Sequence, residues 1–187
     1  MAARRAVKPP VVAISGPSGS GKTRLLKALI PALALRGVAV ALLKHTSHRH
    51  PFDQPGKDTE VLRRAGAVAA LIQGPDALAL HAPPRDLDGL LALLPPCDLV
   101  LAEGWRGAPL ARVEVHRRCI SDGFLCATDR RVFAVVSDVR PPRDLPWLRA
   151  SQAEALADLI VEACALRGRR RRPARVSRAR RGGASRR

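Results

Sequence analysis

Short apolar runs and helical stripes alternate through residues 1–166. Val11-Val12-Ala13-Ile14 reads as a buried strand, followed by a glycine-rich polar turn. From Lys22 the pattern turns helical: Leu25, Leu26, Leu29, Ile30 and Leu33 fall on one face. Pro31 interrupts that stripe and predicts a kink or an early end, with Arg36-Gly37 as the stop. Val38 to Leu43 predicts a second buried strand. Lys44 to Lys57 is polar and rich in His and Pro, and reads as a long loop of the kind that carries function. Asp58 to Ala65 predicts a short helix. Val68 to Ile72 and Leu78 to His81 predict short strands, and Leu87 to Leu94 a short helix. Asp98 to Ala102, Val113 to His116 and Val132 to Val136 predict three further strands. Ser151 is the expected cap of a last helix reaching about Leu166, with Ala153, Leu156, Leu159, Ile160 and Ala163 inward. Continuous apolar strands alternating with helices predict a three-layer α/β fold, a mostly parallel sheet with helices on both faces. No internal repeat is visible.

The chain has 187 residues, and 47% of them are hydrophobic, enough for one packed domain. The formal charge is +17, but eleven Arg and no acid lie between Arg167 and Arg187; without them, residues 1–166 carry +6. The organisation expected is a flexible basic lead over 1–10, a nucleotide-binding domain over 11–166 and a disordered Arg-rich tail over 167–187. Such a tail binds nucleic acid only non-specifically, by counterion release. With 3% aromatic residues, base-stacking platforms are not expected. No apolar run approaches membrane-spanning length, and no signal-peptide core is present. Cys97, Cys119, Cys126 and Cys164 form no CxxC pair and read as reduced thiols of a cytoplasmic protein.

The most specific motif is Gly16-Pro17-Ser18-Gly19-Ser20-Gly21-Lys22-Thr23, a full G-x-x-x-x-G-K-[ST] between a predicted strand and a predicted helix. Glycines let the main chain curl so that its N–H groups converge on phosphate oxygens, and the helix N-terminus adds positive potential. Lys22 supplies an ammonium to the phosphates, and Thr23 a hydroxyl to Mg²⁺. Glu103 ends the strand Asp98 to Ala102 and is the candidate acidic partner for Mg²⁺; Asp98 would lie at the far edge. In the loop after the second strand, Lys44 and Lys57 are candidate phosphate or substrate contacts, and Asp53 is a second Mg²⁺ candidate. His45, His48 and His50 share that loop without a standard zinc spacing. Asp138, after Val132 to Val136, is the candidate base-reading carboxylate. Composition and spacing leave GTP and ATP unseparated.

The segments GPSGSGKTRLLKALIPAL, LLKHTSH, DQPGKDTEVLRRAGA and DLVLAEGW, in that order, resemble the MobB family, over about Val11 to Ile160. The resemblance implies a P-loop GTP-binding accessory protein of molybdenum cofactor biosynthesis. Such a protein assists the guanylyltransferase that builds molybdopterin guanine dinucleotide, hydrolyses GTP weakly at best and forms homodimers. It implies GTP and Mg²⁺ as cofactors: Gly16 to Thr23 on the GTP phosphates, Thr23 and Glu103 around Mg²⁺, and Lys44, His45 and the segment from Asp53 to Asp58 near the nucleotide. Trp105 stands where the family usually has Phe, and the Arg-rich tail is outside its pattern. Two alternatives stay open, a GTPase metallochaperone using the three histidines and a small-molecule P-loop kinase.

Overall fold

A computed structural model describes residues 8–46 and 58–166. The described chain forms two compact units, one of residues 8–46 and 94–166 and one of residues 58–93.

The first unit is built on six strands: β1 (Val11–Ser15), β2 (Val40–Lys44), β5 (Leu99–Glu103), β6 (Ala111–His116), β7 (Val132–Ser137) and β8 (Trp147–Leu148). Their order is β2-β5-β1-β6-β7-β8, and every neighbouring pair is parallel. One edge of the sheet therefore collects all the strands' carboxyl ends, the edge at which α/β sheets bind ligands. Asp98 precedes β5 at the opposite edge. Its carboxylate accepts from Ala39 N at 2.9 Å while its own N–H donates to Ala39 O, tying the start of β5 to the lead of β2.

Helices α1 (Lys22–Leu35) and α4 (Ala153–Ala163) pack together on one face of the sheet. There Leu29, Leu33, Leu156 and Ile160 are fully buried against Ile14, Leu101, Val113 and Val136. Burial of each such side chain is worth about 1.5–3 kcal/mol. That packing explains why α1 runs through Pro31 instead of ending there. The proline removes one hydrogen bond, whereas Ala32 and Leu33 beyond it are both buried. The helix stops where expected: Gly37 takes φ +74° and Val38 N bonds back to Leu33 O. Arg36, at that end, holds Asp158 of α4 with two bonds of 2.6 and 2.8 Å. The last helix departs from expectation at both ends. Gln152, not Ser151, is its N-cap, without a side-chain bond, and it closes at Ala163, which is exposed. The Gln152 side chain instead accepts from Arg149 N at 2.7 Å.

On the opposite face, β6 presents Arg112, Glu114 and His116, all almost fully buried. Each of these polar groups is satisfied internally. Glu114 accepts from Leu125 N and Cys126 N at 2.6 and 2.8 Å, capping the 3-10 turn Leu125–Ala127. His116 bonds Ser137 Oγ and Ser121 O and stacks on Phe124. Arg112 pairs with Asp129 at 3.2 Å, and Asp129 also holds Arg131 at 2.8 Å. All four cysteines are unpaired; burial, then the Glu114 carboxylate, pushes the Cys126 thiol up to about 11.

The Asp129 ion pairs make stability depend on acid. Hydrogen bonds from Arg131, with the Arg112 charge behind them, hold the Asp129 carboxyl at about 2, against about 3.9 in an unfolded chain. A depressed carboxyl contributes stability that is full above the unfolded value and lost as pH falls through the folded one. Asp129→Asn should therefore lower stability by roughly 1–3 kcal/mol at pH 7. Its difference from wild type in urea midpoint should shrink between about pH 4 and pH 2; a difference constant over that range would refute the pairing.

The second unit contains α2 (Asp58–Arg64), the antiparallel pair β3 (Ala70–Gln73) and β4 (Leu78–His81), and α3 (Leu87–Leu91). The two strands predicted here exist, but they form their own two-stranded sheet. Asp86 caps α3 through Gly89 N at 2.8 Å. Leu71, Ile72, Leu78 and Leu80 of the hairpin, with Val61 and Leu62 of α2, are exposed.

Candidate functional site

Residues 16–21 form the turn between β1 and α1, and Lys22 opens the helix. The turn is tight because its glycines permit it. Gly16, Gly19 and Gly21 all take positive φ. At Gly16 (φ +151°) the chain passes so close to β6 that a Cβ would lie 2.1 Å from Val115 O. Lys22 folds back over the turn and donates to Gly16 O at 3.0 Å and Pro17 O at 2.7 Å. Burial pulls its ammonium below the ordinary lysine value; Glu103 opposes that shift, while Arg106 and Lys44 add to it. Thr23 follows, exposed, in the first turn of α1.

The carboxyl ends of β2 and β5 lie beside this turn. Glu103 is registered against Ile14 on one side and Lys44 on the other, and is 8% exposed. The chain then turns through Gly104 (φ +86°), where a Cβ would stand 2.2 Å from His45 O. His45 N donates to Glu103 O at 2.8 Å, and the His45 ring lies 5.3 Å from that of Trp105. Lys22, Lys44, His45 and Glu103 thus gather at one edge, as the sequence suggests. Asp53, His48, His50 and Lys57 lie outside the described residues. Among the described residues, no group of three or more His, Cys, Asp or Glu is arranged to hold a metal.

Beyond the turn, at the carboxyl ends of β6 and β7, lies a cavity of about 230 Å³. Ser20 and Gly21 of the turn and Arg24 of α1 line it, as do Arg117, Asp138 and Arg149. Asp138 accepts from Arg118 N at 3.1 Å, and that bond, with nearby positive charge, holds its carboxyl below the usual value. Arg149 is fixed by a bond to Asp138 O and by its guanidinium lying 4.7 Å above the Trp147 ring. Sequence reasoning missed Arg24, Arg117 and Arg149, and also Arg106, whose guanidinium reaches Gly16 O at 3.3 Å. An isolated arginine in an irregular segment reads as solvated. The available signal was position, since Arg106 falls two residues past Glu103-Gly104 and Arg117 just past a strand end.

The residues present fit a nucleoside triphosphate with a divalent cation. Ser20 Oγ, on a residue 1% exposed, has no hydrogen-bond partner, and a buried hydroxyl without one is a group that a ligand can satisfy. Position 16 has room only for glycine, which holds the turn against β6. Thr23 and Glu103 offer the oxygen donors that Mg²⁺ takes.

A parallel sheet with a glycine-rich turn opening a helix at its carboxyl edge defines a P-loop NTPase-like α/β protein. Comparison with known proteins narrows that class. The sequence model of the family "Molybdopterin guanine dinucleotide synthesis protein B", MobB, matches residues 11–138. The chain is 38% identical over 165 residues to the molybdopterin-guanine dinucleotide biosynthesis adapter protein of Escherichia coli K12, covering 82% of this chain and 92% of that one. It is 33% identical over 156 residues to the protein of the same name from Haemophilus influenzae, covering 81% and 87%. Among solved structures, Bacillus subtilis MobB superposes with a TM-score of 0.65 at 25% identity, over 82% of this chain and 96% of its own. The chain belongs to the MobB family.

Proposed function

We propose that this protein is a GTP-binding adapter in the biosynthesis of molybdopterin guanine dinucleotide, acting beside the guanylyltransferase and, at most, as a slow Mg²⁺-dependent GTPase. The biosynthetic role is supported by family membership and by the adapter proteins the chain resembles over most of its length. Nucleotide binding is supported above all by one observation: a glycine turn at the head of α1 with Lys22 folded across it and the Ser20 hydroxyl unpaired inside it.

The residues then divide the work. Gly16 to Gly21 present main-chain N–H groups to the phosphates, Lys22 neutralises them, and Thr23 and Glu103 hold Mg²⁺. The bound cation would screen the charge of the phosphates. Lys44 and His45 flank the polyphosphate from β2. The base occupies the cavity at β6 and β7, where Asp138 accepts from the ring N–H and the 2-amino group that guanine has and adenine lacks. Glu103 lies 8% exposed between Lys44 and the P-loop strand. At the end of β5, beside the turn, its oxygens are placed to hold a cation.

A homodimer is supported by the second unit. Two strands alone are marginal in water, and this hairpin leaves Leu71, Ile72, Leu78 and Leu80 exposed. Among the described residues no helix is long and apolar enough to cross a membrane.

The test is calorimetry of GTP and ATP, each with and without Mg²⁺. GTP should bind at least about tenfold more tightly than ATP, the worth of one good charge-assisted hydrogen-bond pair, and Mg²⁺ should strengthen it. Equal affinities, or a preference for ATP, would favour a kinase and remove the guanine reading.

A further inference from the structure

Two cations converge on one neutral acceptor at the mouth of the turn. Gly16 O receives Lys22 Nζ at 3.0 Å and Arg106 Nη2 at 3.3 Å. Lys44 joins them, and among the described residues Glu103 is the one carboxylate whose charge acts on Lys22, so the described cluster carries an excess of positive charge. A carbonyl oxygen cannot neutralise a guanidinium; a phosphate can, with two parallel bonds.

The segment carrying Arg106 is held with unusual care for an irregular one. Gly104 fits against His45 O where no side chain has room, so the chain leaves β5 in one direction only. Arg106 N then closes a tight turn on Gly104 O at 3.1 Å. Beneath the segment lies Arg112, 1% exposed. It donates to Arg106 O at 3.3 Å, Ala108 O at 2.6 Å and Leu110 O at 3.3 Å, and to Ser15 Oγ at 3.4 Å. Asp129 anchors the far side of Arg112 at 3.2 Å. One buried guanidinium thus ties the backbone around Arg106 to the last residue of the P-loop strand. The Arg106 side chain itself is exposed and supports no packing. A fixed backbone beneath an exposed, cationic side chain aimed at the turn describes a ligand contact better than a structural one.

We infer that Arg106 grips the terminal phosphate of the bound nucleoside triphosphate, an arginine supplied by the chain itself that makes the site distinguish triphosphate from diphosphate. Arg112 is its positioning residue. The inference rests on the nucleotide-binding reading above, and the experiment separates the two. Calorimetry with GTP and with GDP, both with Mg²⁺, is run on the full chain, on Arg106→Ala and on Arg106→Lys.

Wild type should bind both nucleotides. Arg106→Ala should lose about 10- to 100-fold in GTP affinity while its GDP affinity stays within about twofold. Arg106→Lys should fall between, because an ammonium keeps the charge without the paired donors. Melting temperature should be unchanged in both variants. Failure of wild type to bind either nucleotide would overturn the functional reading and this inference together. Normal wild-type binding with GTP affinity unchanged in Arg106→Ala, or with GTP and GDP weakened equally, would overturn the inference alone.

Discussion

Replacing Lys22 with alanine should weaken GTP binding by about 100-fold or more, the worth of a charge-assisted contact to phosphate inside a partly desolvated turn. The fold should hardly notice. Among the described residues Lys22 bonds only to Gly16 O and Pro17 O, and it lies at the helix start, where its departure leaves no cavity in the core. Melting should therefore change by no more than the ~1 kcal/mol of an ordinary hydrogen bond. Titrating wild type and variant with GTP and ATP measures the first effect, and thermal unfolding the second. Equal affinity in the two proteins would show that the turn does not hold phosphates.

Gly16→Ala should damage fold and binding together. The added methyl would stand 2.1 Å from Val115 O and 2.9 Å from Ser20 Oγ. The first of these is backbone of β6, hydrogen-bonded between β1 and β7 and unable to yield cheaply. The turn must lift off the sheet, at a cost of about 3 kcal/mol or more. For a domain of this size that is a fall of roughly 10 °C in melting temperature. Gly37→Ala is the control, since Gly37 also has positive φ but nothing within 4 Å of a new Cβ. It should cost only about 1 kcal/mol, the left-handed penalty alone. Similar losses at the two positions would mean that the contact with Val115 does not constrain the loop.

The turn was legible from sequence because its chemistry demands consecutive residues, from Gly16 to Thr23, between a strand and a helix. Glu103 and Asp138 were legible as acids at strand ends, and the parallel sheet places both on the expected edge. What stayed hidden depends on contacts between distant residues. Arg106 meets Gly16 across 90 positions, and its place just past Glu103-Gly104 hints at the right edge of the sheet without naming Gly16 as its partner. Alternation along Ala111–His116 marks two faces, but it cannot tell that the polar one is buried, because the groups that satisfy it come from Ser15, 106–110, 121–129 and Ser137. Likewise, Ala70–Gln73 and Leu78–His81 carry strand propensity without naming their partners, which turn out to be each other. Of the two outcomes expected at Pro31, a kink or an early end, the helix does not take the second, because tertiary burial outweighs the local penalty.

Arg36 and Asp158 meet across 122 positions, and with them α1 meets α4. During synthesis α1 leaves the ribosome early, and its apolar stripe waits for a cover made more than a hundred residues later. The phosphate-binding end of that helix cannot be backed by a finished core until residues 153–163 have emerged. Premature termination anywhere upstream would leave an aggregation-prone surface rather than a smaller working domain.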